Sequence, residues 1–165
     1  MAGETIFSCS VLPNQLEGAY GTVLKSLKEV LKRKGIEAER LYSISDIVLE
    51  YLVNIDLHPK MKDPIPESHI SVLEDAGDIV VKMQGPVSSK EDMKRLDDLV
   101  RRYQGQDEDW LWSEREKISR GGRPFKTDGS GIGILTVAAL SRDAAISCDK
   151  GFRSGTPYFT LMSRV

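Results

Sequence analysis

At 165 residues, with 40% hydrophobic and 29% charged side chains, the chain is long enough for one domain with a sizeable core, and neither a fibre nor a disordered tract fits it. A formal net charge of −2 excludes a protein built mainly on non-specific phosphate binding, while leaving room for a local basic patch. No run approaches the roughly 20 apolar residues of a membrane span, the first five residues lack the marks of a signal peptide, and two cysteines, Cys9 and Cys148, give neither a disulfide framework nor a zinc spacing. These features predict a single domain over 1–165 in a reducing cytoplasm, without membrane contact.

Thr5–Leu12 is a short apolar run rich in strand formers, closed by Pro13-Asn14, and predicts a buried first strand. Leu16, Tyr20, Val23, Leu24, Leu27, Val30 and Leu31 then recur at helical spacing. The helix is expected to end at Gly35, with Lys32, Arg33 and Lys34 in its last turn, where cations suit the dipole. Ile36–Tyr42 reads as a second strand, and Ser45 as the cap of a helix carrying Ile47, Val48, Tyr51 and Leu52. His58–Glu67 holds three prolines and predicts a loop or a break between helices.

Asp78–Met83 predicts a third strand, ended by Gly85-Pro86. Ser89–Tyr103 predicts a charged helix with Met93, Leu96, Leu99, Val100 and Tyr103 inward. Asp107–Ser119 carries Trp110 and Trp112, and Gly121-Gly122-Arg123-Pro124 must turn. Gly129-Ser130-Gly131-Ile132-Gly133 opens a short apolar helix, Ile134–Leu140; Asp143–Asp149 and Pro157–Met162 are the last two strands. Alternating helices and strands predict an α/β domain with a mostly parallel central sheet covered on both faces.

The acid at the end of AAISCDKGF, Asp149, is expected just beyond a buried strand, where ligands gather in parallel sheets; capping the next turn would explain it equally well. That segment resembles the fourth-strand motif of PIN domains. GIGILTVAAL is similar to the helix before it, YSISDIVLEYL to the second-strand turn into a helix with an inward Glu, and TIFSCSVL to the first strand. The resemblance implies a three-layer PIN-like fold and a metal-dependent ribonuclease, in which clustered carboxylates hold magnesium or manganese. It assigns metal-binding and catalytic roles to Glu50 and Asp149. Ser8 stands where the family has its first acid, and the third acid falls near Gly131, with Asp128 one helical turn earlier as its substitute. The chain is then either an endoribonuclease, such as the toxin of a toxin–antitoxin pair, or a descendant that has lost catalysis and binds RNA or protein.

The substrate-side residues on this reading are Ser8, Arg120, Arg123, Lys126 and Lys150, with RNA, an antitoxin or another protein as partner, and a homodimer allowed. Arg115, Lys117, Arg120, Arg123 and Lys126 follow Trp110 and Trp112, a mixture able to hold single-stranded nucleic acid by charge and stacking. Lys25, Lys28, Lys32, Arg33 and Lys34 read as a solvated helix face. The glycines at 129–133 have two readings, a tight start of a helix against the sheet and an anion cradle at a helix N-terminus. His58 and His69 lack partners at metal-ligand spacing. In a PIN-like sheet Cys9 and Cys148 are expected on neighbouring strands, about 5–8 Å apart. The alternative to the nuclease is a flavodoxin-like flavin reductase, resembled by the first half with its GIEAERLYSISD and DAGDIVV segments, although CSVLPNQLEGAYGT lacks that family's Ser/Thr cluster.

Overall fold

In the computed structural model the described residues are 3–12, 18–57, 67–87, 89–121, 131–153 and 155–165. The first strand, β1 (Glu4–Val11), is followed by helices α1 (Ala19–Arg33) and α2 (Ala38–Leu57). A hairpin, β2 (Ser68–Asp75) and β3 (Asp78–Pro86), leads to α3 (Lys90–Tyr103) and α4 (Glu108–Arg120). The chain closes with α5 (Ile132–Leu140), a 3-10 turn at Arg142–Ala144, and a second hairpin, β4 (Ile146–Arg153) and β5 (Thr156–Arg164).

The five strands form one sheet in the order β1-β2-β3-β5-β4, and every neighbouring pair is antiparallel. The expected mostly parallel, PIN-like sheet is therefore wrong. The cause lies in two hairpins. Ala76 and Gly77 form a two-residue connection with φ of 52° and 87°, the left-handed pair that matches the twist of two antiparallel strands. β2 has no counterpart among the strands expected from the sequence, although Ile70 and Val72 alternate with His69 and Ser71 in it.

Among the described residues, helices cover only one face of the sheet. Ile70, Val72, Ile79, Val81, Met83, Phe159 and Leu161 point into the core beneath the helices. The other face carries an uninterrupted polar row running through paired positions: Ser10, His69, Gln84, Thr160 and Asp149. Two hydrogen bonds lie along it, between Ser10 Oγ and His69 Nδ1 at 2.7 Å and from Gln84 Nε2 to Thr160 Oγ1 at 3.2 Å. A parallel sheet needs apolar side chains on both faces, whereas an antiparallel one can leave one face wet. The domain thus has two layers rather than three.

Ile36–Tyr42 is not a strand. Gly35, at φ 75°, closes α1 with the Schellman pattern, Gly35 N–H donating to Lys32 and Ile36 N–H to Leu31, and α2 starts three residues later. From there Leu41, Ile44, Val48, Tyr51, Leu52 and Ile55 keep a helical period and are all buried. α3 is capped by Ser89, whose hydroxyl accepts from Asp92 N–H at 3.1 Å, and α4 by Asp107, which accepts from Trp110 N–H at 3.1 Å. α5 is apolar all round and accordingly sits in the middle of the helical layer, against α2, α3 and α4.

Cys9 and Cys148 lie on β1 and β4, the two outer strands, at opposite ends of the paired row Cys9–Ile70–Met83–Leu161–Cys148. Four strand intervals separate them, roughly 19 Å. Their expected adjacency fails, and with it the PIN-like topology.

Candidate functional site

Glu50 and Asp149 were the two acids expected to meet, and the sheet separates them. Along β4, Ile146 is buried, Cys148 packs on the core, and Lys150 reaches Asp97 of α3 at 2.9 Å; these alternate residues face the helices. Asp149 therefore points to the bare face, while Glu50 projects from α2 on the helical side. Asp128, Arg123 and Lys126, like His58, Gly129 and Ser130, lie outside the described residues. Ser8 is exposed on β1 opposite Ser71, again on the bare face. Arg120 pairs with Glu116 on its own helix, and Lys150 is engaged by Asp97. Among the described residues no three His, Cys, Asp or Glu side chains converge, so a carboxylate cage for magnesium or manganese is not assembled.

What the fold does bring together is Glu50 and the glycine-rich start of α5. Gly131 occupies the cap position at φ 72°, and a side chain there would collide with Leu99, its β-carbon lying 2.7 Å from Leu99 Cδ2. Two residues on, a β-carbon at Gly133 would lie 3.2 Å from Glu50 Oε2 and 3.4 Å from Asn54 Nδ2. Glu50 and Asn54 are four residues apart on one face of α2, so both are aimed at the first turn of α5. Among the described residues, that turn has no acidic residue and no side-chain cap. Its backbone N–H groups thus lack intrahelical partners and carry the positive end of the helix dipole.

Arg115 enters from α4. Its Nε donates to Thr136 Oγ1 at 2.9 Å, and Thr136 in turn donates to the Ile132 carbonyl at 2.8 Å, which fixes the guanidinium beside the same turn. The Glu50 carboxyl holds its proton more tightly than an ordinary glutamate. Burial is the main cause; the positive charge of Arg115 opposes it, and Asp46, one turn earlier on α2, adds to it. A half-buried carboxyl with raised proton affinity, an amide, an uncapped helix N-terminus and a cation now share one locality. Such a set can hold a phosphate group and accept a proton beside it.

Sequence reading had Glu50, Arg115 and the glycine cluster in hand, but as parts of different sites. Asn54 and Thr136 escaped it. The spacing Glu50-x-x-x-Asn54 on an apolar helix was the available signal, since two polar side chains on one helix face need a reason to be there.

No protein-family model matches the chain, and no curated protein matches it. Its fold is shared with a chain of the crystal structure of the SiaB-SiaC complex from Pseudomonas aeruginosa: TM-score 0.78 at 14% sequence identity, covering 99% of this chain and 92% of that one. The likeness establishes a class, a two-layer α/β domain built on an antiparallel sheet. It also overturns the nuclease, toxin–antitoxin and flavin-reductase expectations, because neither a PIN-like nor a flavodoxin-like parallel sheet is present. No helix among the described residues is long and apolar enough to cross a membrane.

Proposed function

We propose that this chain is a regulatory domain that binds a magnesium nucleotide between α2 and the start of α5 and acts on a protein partner. The observation that carries the reading is the placement of Glu50 and Asn54 against Gly133, in the first turn of an uncapped helix. Helix N–H groups favour the phosphates. A bare phosphate would be repelled by Glu50 unless that carboxyl were protonated or shared a cation with it. Magnesium is commonly held by one or two protein oxygens and completed by phosphate oxygens and water, so Asn54 fits it without a carboxylate cage and leaves Glu50 free of the metal. Because the protein offers so few ligands, the bound molecule must supply several, which favours a polyphosphate chain over a single phosphate.

Glu50 adds a chemical possibility. A carboxylate with raised proton affinity is suited to take the proton of a hydroxyl as its oxygen attacks the terminal phosphorus and the bond to the bridging oxygen breaks. Magnesium, when bound, would neutralise charge on the phosphates. The partner reading rests on the similar fold having been solved in a complex of two proteins.

Calorimetric titration with ATP and magnesium tests the site. Binding is expected in the micromolar to millimolar range, lost with EDTA and weakened in Asn54→Ala. Transfer of labelled terminal phosphate to a protein that co-purifies with the domain, absent in Glu50→Gln, tests the chemistry. No heat and no protection from thermal unfolding at millimolar ATP and magnesium would end the proposal.

A further inference from the structure

Arg115 is held in an unusual way for a cation on a charged helix. Three of the four acids of α4 are committed elsewhere: Glu114 to Lys117 at 3.0 Å, Glu116 to Arg120, and Glu108 to the Trp112 indole N–H at 3.4 Å. Arg115 instead has neutral partners, the Thr136 hydroxyl at Nε and the Trp112 ring, whose centroid is 5.9 Å from its guanidinium carbon. Among the described residues its two terminal NH2 groups make no hydrogen bond or ion pair. Its charge also acts on the Glu50 carboxyl of α2, without forming an ion pair with it. A guanidinium pinned at Nε beside the first turn of α5 presents its remaining donors as a fork, the geometry that phosphate oxygens accept in pairs.

We infer that Arg115 binds the phosphates of the ligand at the start of α5, and that this contact draws its guanidinium off Trp112, so that α4 registers whether the site is filled. The inference rests on the nucleotide reading above and adds to it a specificity residue and a route of communication. α4 is well placed for the second role, since Trp110 and Trp112 are both partly exposed on it, where a partner could sense a change.

The test uses Trp110→Phe, which leaves Trp112 as the sole tryptophan of a chain that has two. Titrated with ATP and magnesium, its fluorescence should change along the calorimetric binding curve. Adding Arg115→Gln should weaken binding about ten- to a hundredfold, as loss of a charge-assisted contact does, and abolish the fluorescence change even when nucleotide is raised to saturation. Arg115→Lys should recover part of the affinity but not the fork-dependent signal. Thr136→Val, which removes the Nε acceptor and keeps the charge, should lower affinity less than Arg115→Gln while broadening the Trp112 response. If the parent binds nucleotide and Arg115→Gln binds it equally well with the same fluorescence change, Arg115 has neither role. If the parent binds none, the nucleotide site and this inference fall together.

Discussion

Gly133 faces Glu50 across the contact between α5 and α2 so closely that a methyl group at 133 would stand 3.2 Å from the carboxylate oxygen. Alanine is a better helix former than glycine, but the added methyl group makes Glu50 and Asn54 give by a few tenths of an ångström, so the two effects offset and Gly133→Ala should leave the thermal midpoint close to that of the parent. The same methyl group intrudes on the space between Glu50, Asn54 and the helix N-terminus, and nucleotide affinity should fall at least about tenfold. Thermal unfolding and calorimetry on one sample separate the two. Undiminished binding would mean that Gly133 serves packing alone.

Glu50 makes stability depend on pH in a stated direction. Its folded proton affinity is raised, chiefly by burial, so the folded state binds its proton in preference to the unfolded state. Below the usual carboxylate range both states are protonated and the group contributes nothing. As pH rises from there through the raised folded value, ionising Glu50 lowers stability, and the loss persists at neutral pH. Glu50→Gln removes that loss. The variant should be at least as stable as the parent at pH 7, with a flatter profile between pH 4 and 7, while losing phosphoryl transfer. Stability gained alongside activity lost is the pattern of a functional carboxyl rather than a structural one.

The two thiols should behave as distant, sluggish groups. At opposite ends of a sheet row, roughly 19 Å apart by strand spacing, they cannot form an intramolecular disulfide without unfolding. Burial pushes the Cys148 thiol up to about 11, helped by Asp97, and raises Cys9 as well. Alkylation of the native protein at pH 7.5 should therefore be slow at both positions and fast in denaturant. Mass spectrometry after mild oxidation should find no internal cross-link; a disulfide between them would contradict the strand order.

Ala76 holds φ at 52° in the β2–β3 connection, a conformation that costs an L-residue with a β-carbon and no polar group about 1 kcal/mol. Asparagine tolerates it and is the preferred partner of a following glycine in such turns. Ala76→Asn should raise stability by roughly 0.5–1 kcal/mol, or about 1–4 °C in a domain of this size. Gly77→Ala, placed at φ 87°, should do the reverse by a similar or larger amount.

What the sequence determined by itself is the local grammar. The period of apolar residues located α1, the later part of α2 and α3; Gly35 announced the end of α1 and Ser89 the start of α3; and the apolar run Ile134–Leu140 announced the short helix α5. Glu50, Arg115 and the glycine cluster were each conspicuous, because an acid on an apolar helix and glycines ahead of another are expensive without a purpose. Strand direction was not legible. An apolar run of four to eight residues reads alike in a parallel or an antiparallel sheet, and Ile36–Tyr42 reads as a strand only when its apolar residues are separated from their helical continuation at Ile44 and Val48. The site was illegible for a different reason. Asn54, Arg115 and Gly133 are separated by tens of residues on three helices, and their meeting depends on α5 packing between α2 and α4. Likewise, the sheet alone decides that Asp149 and Glu50 are parted, since a side chain's face is set by its register in a strand and the register by pairing with β5.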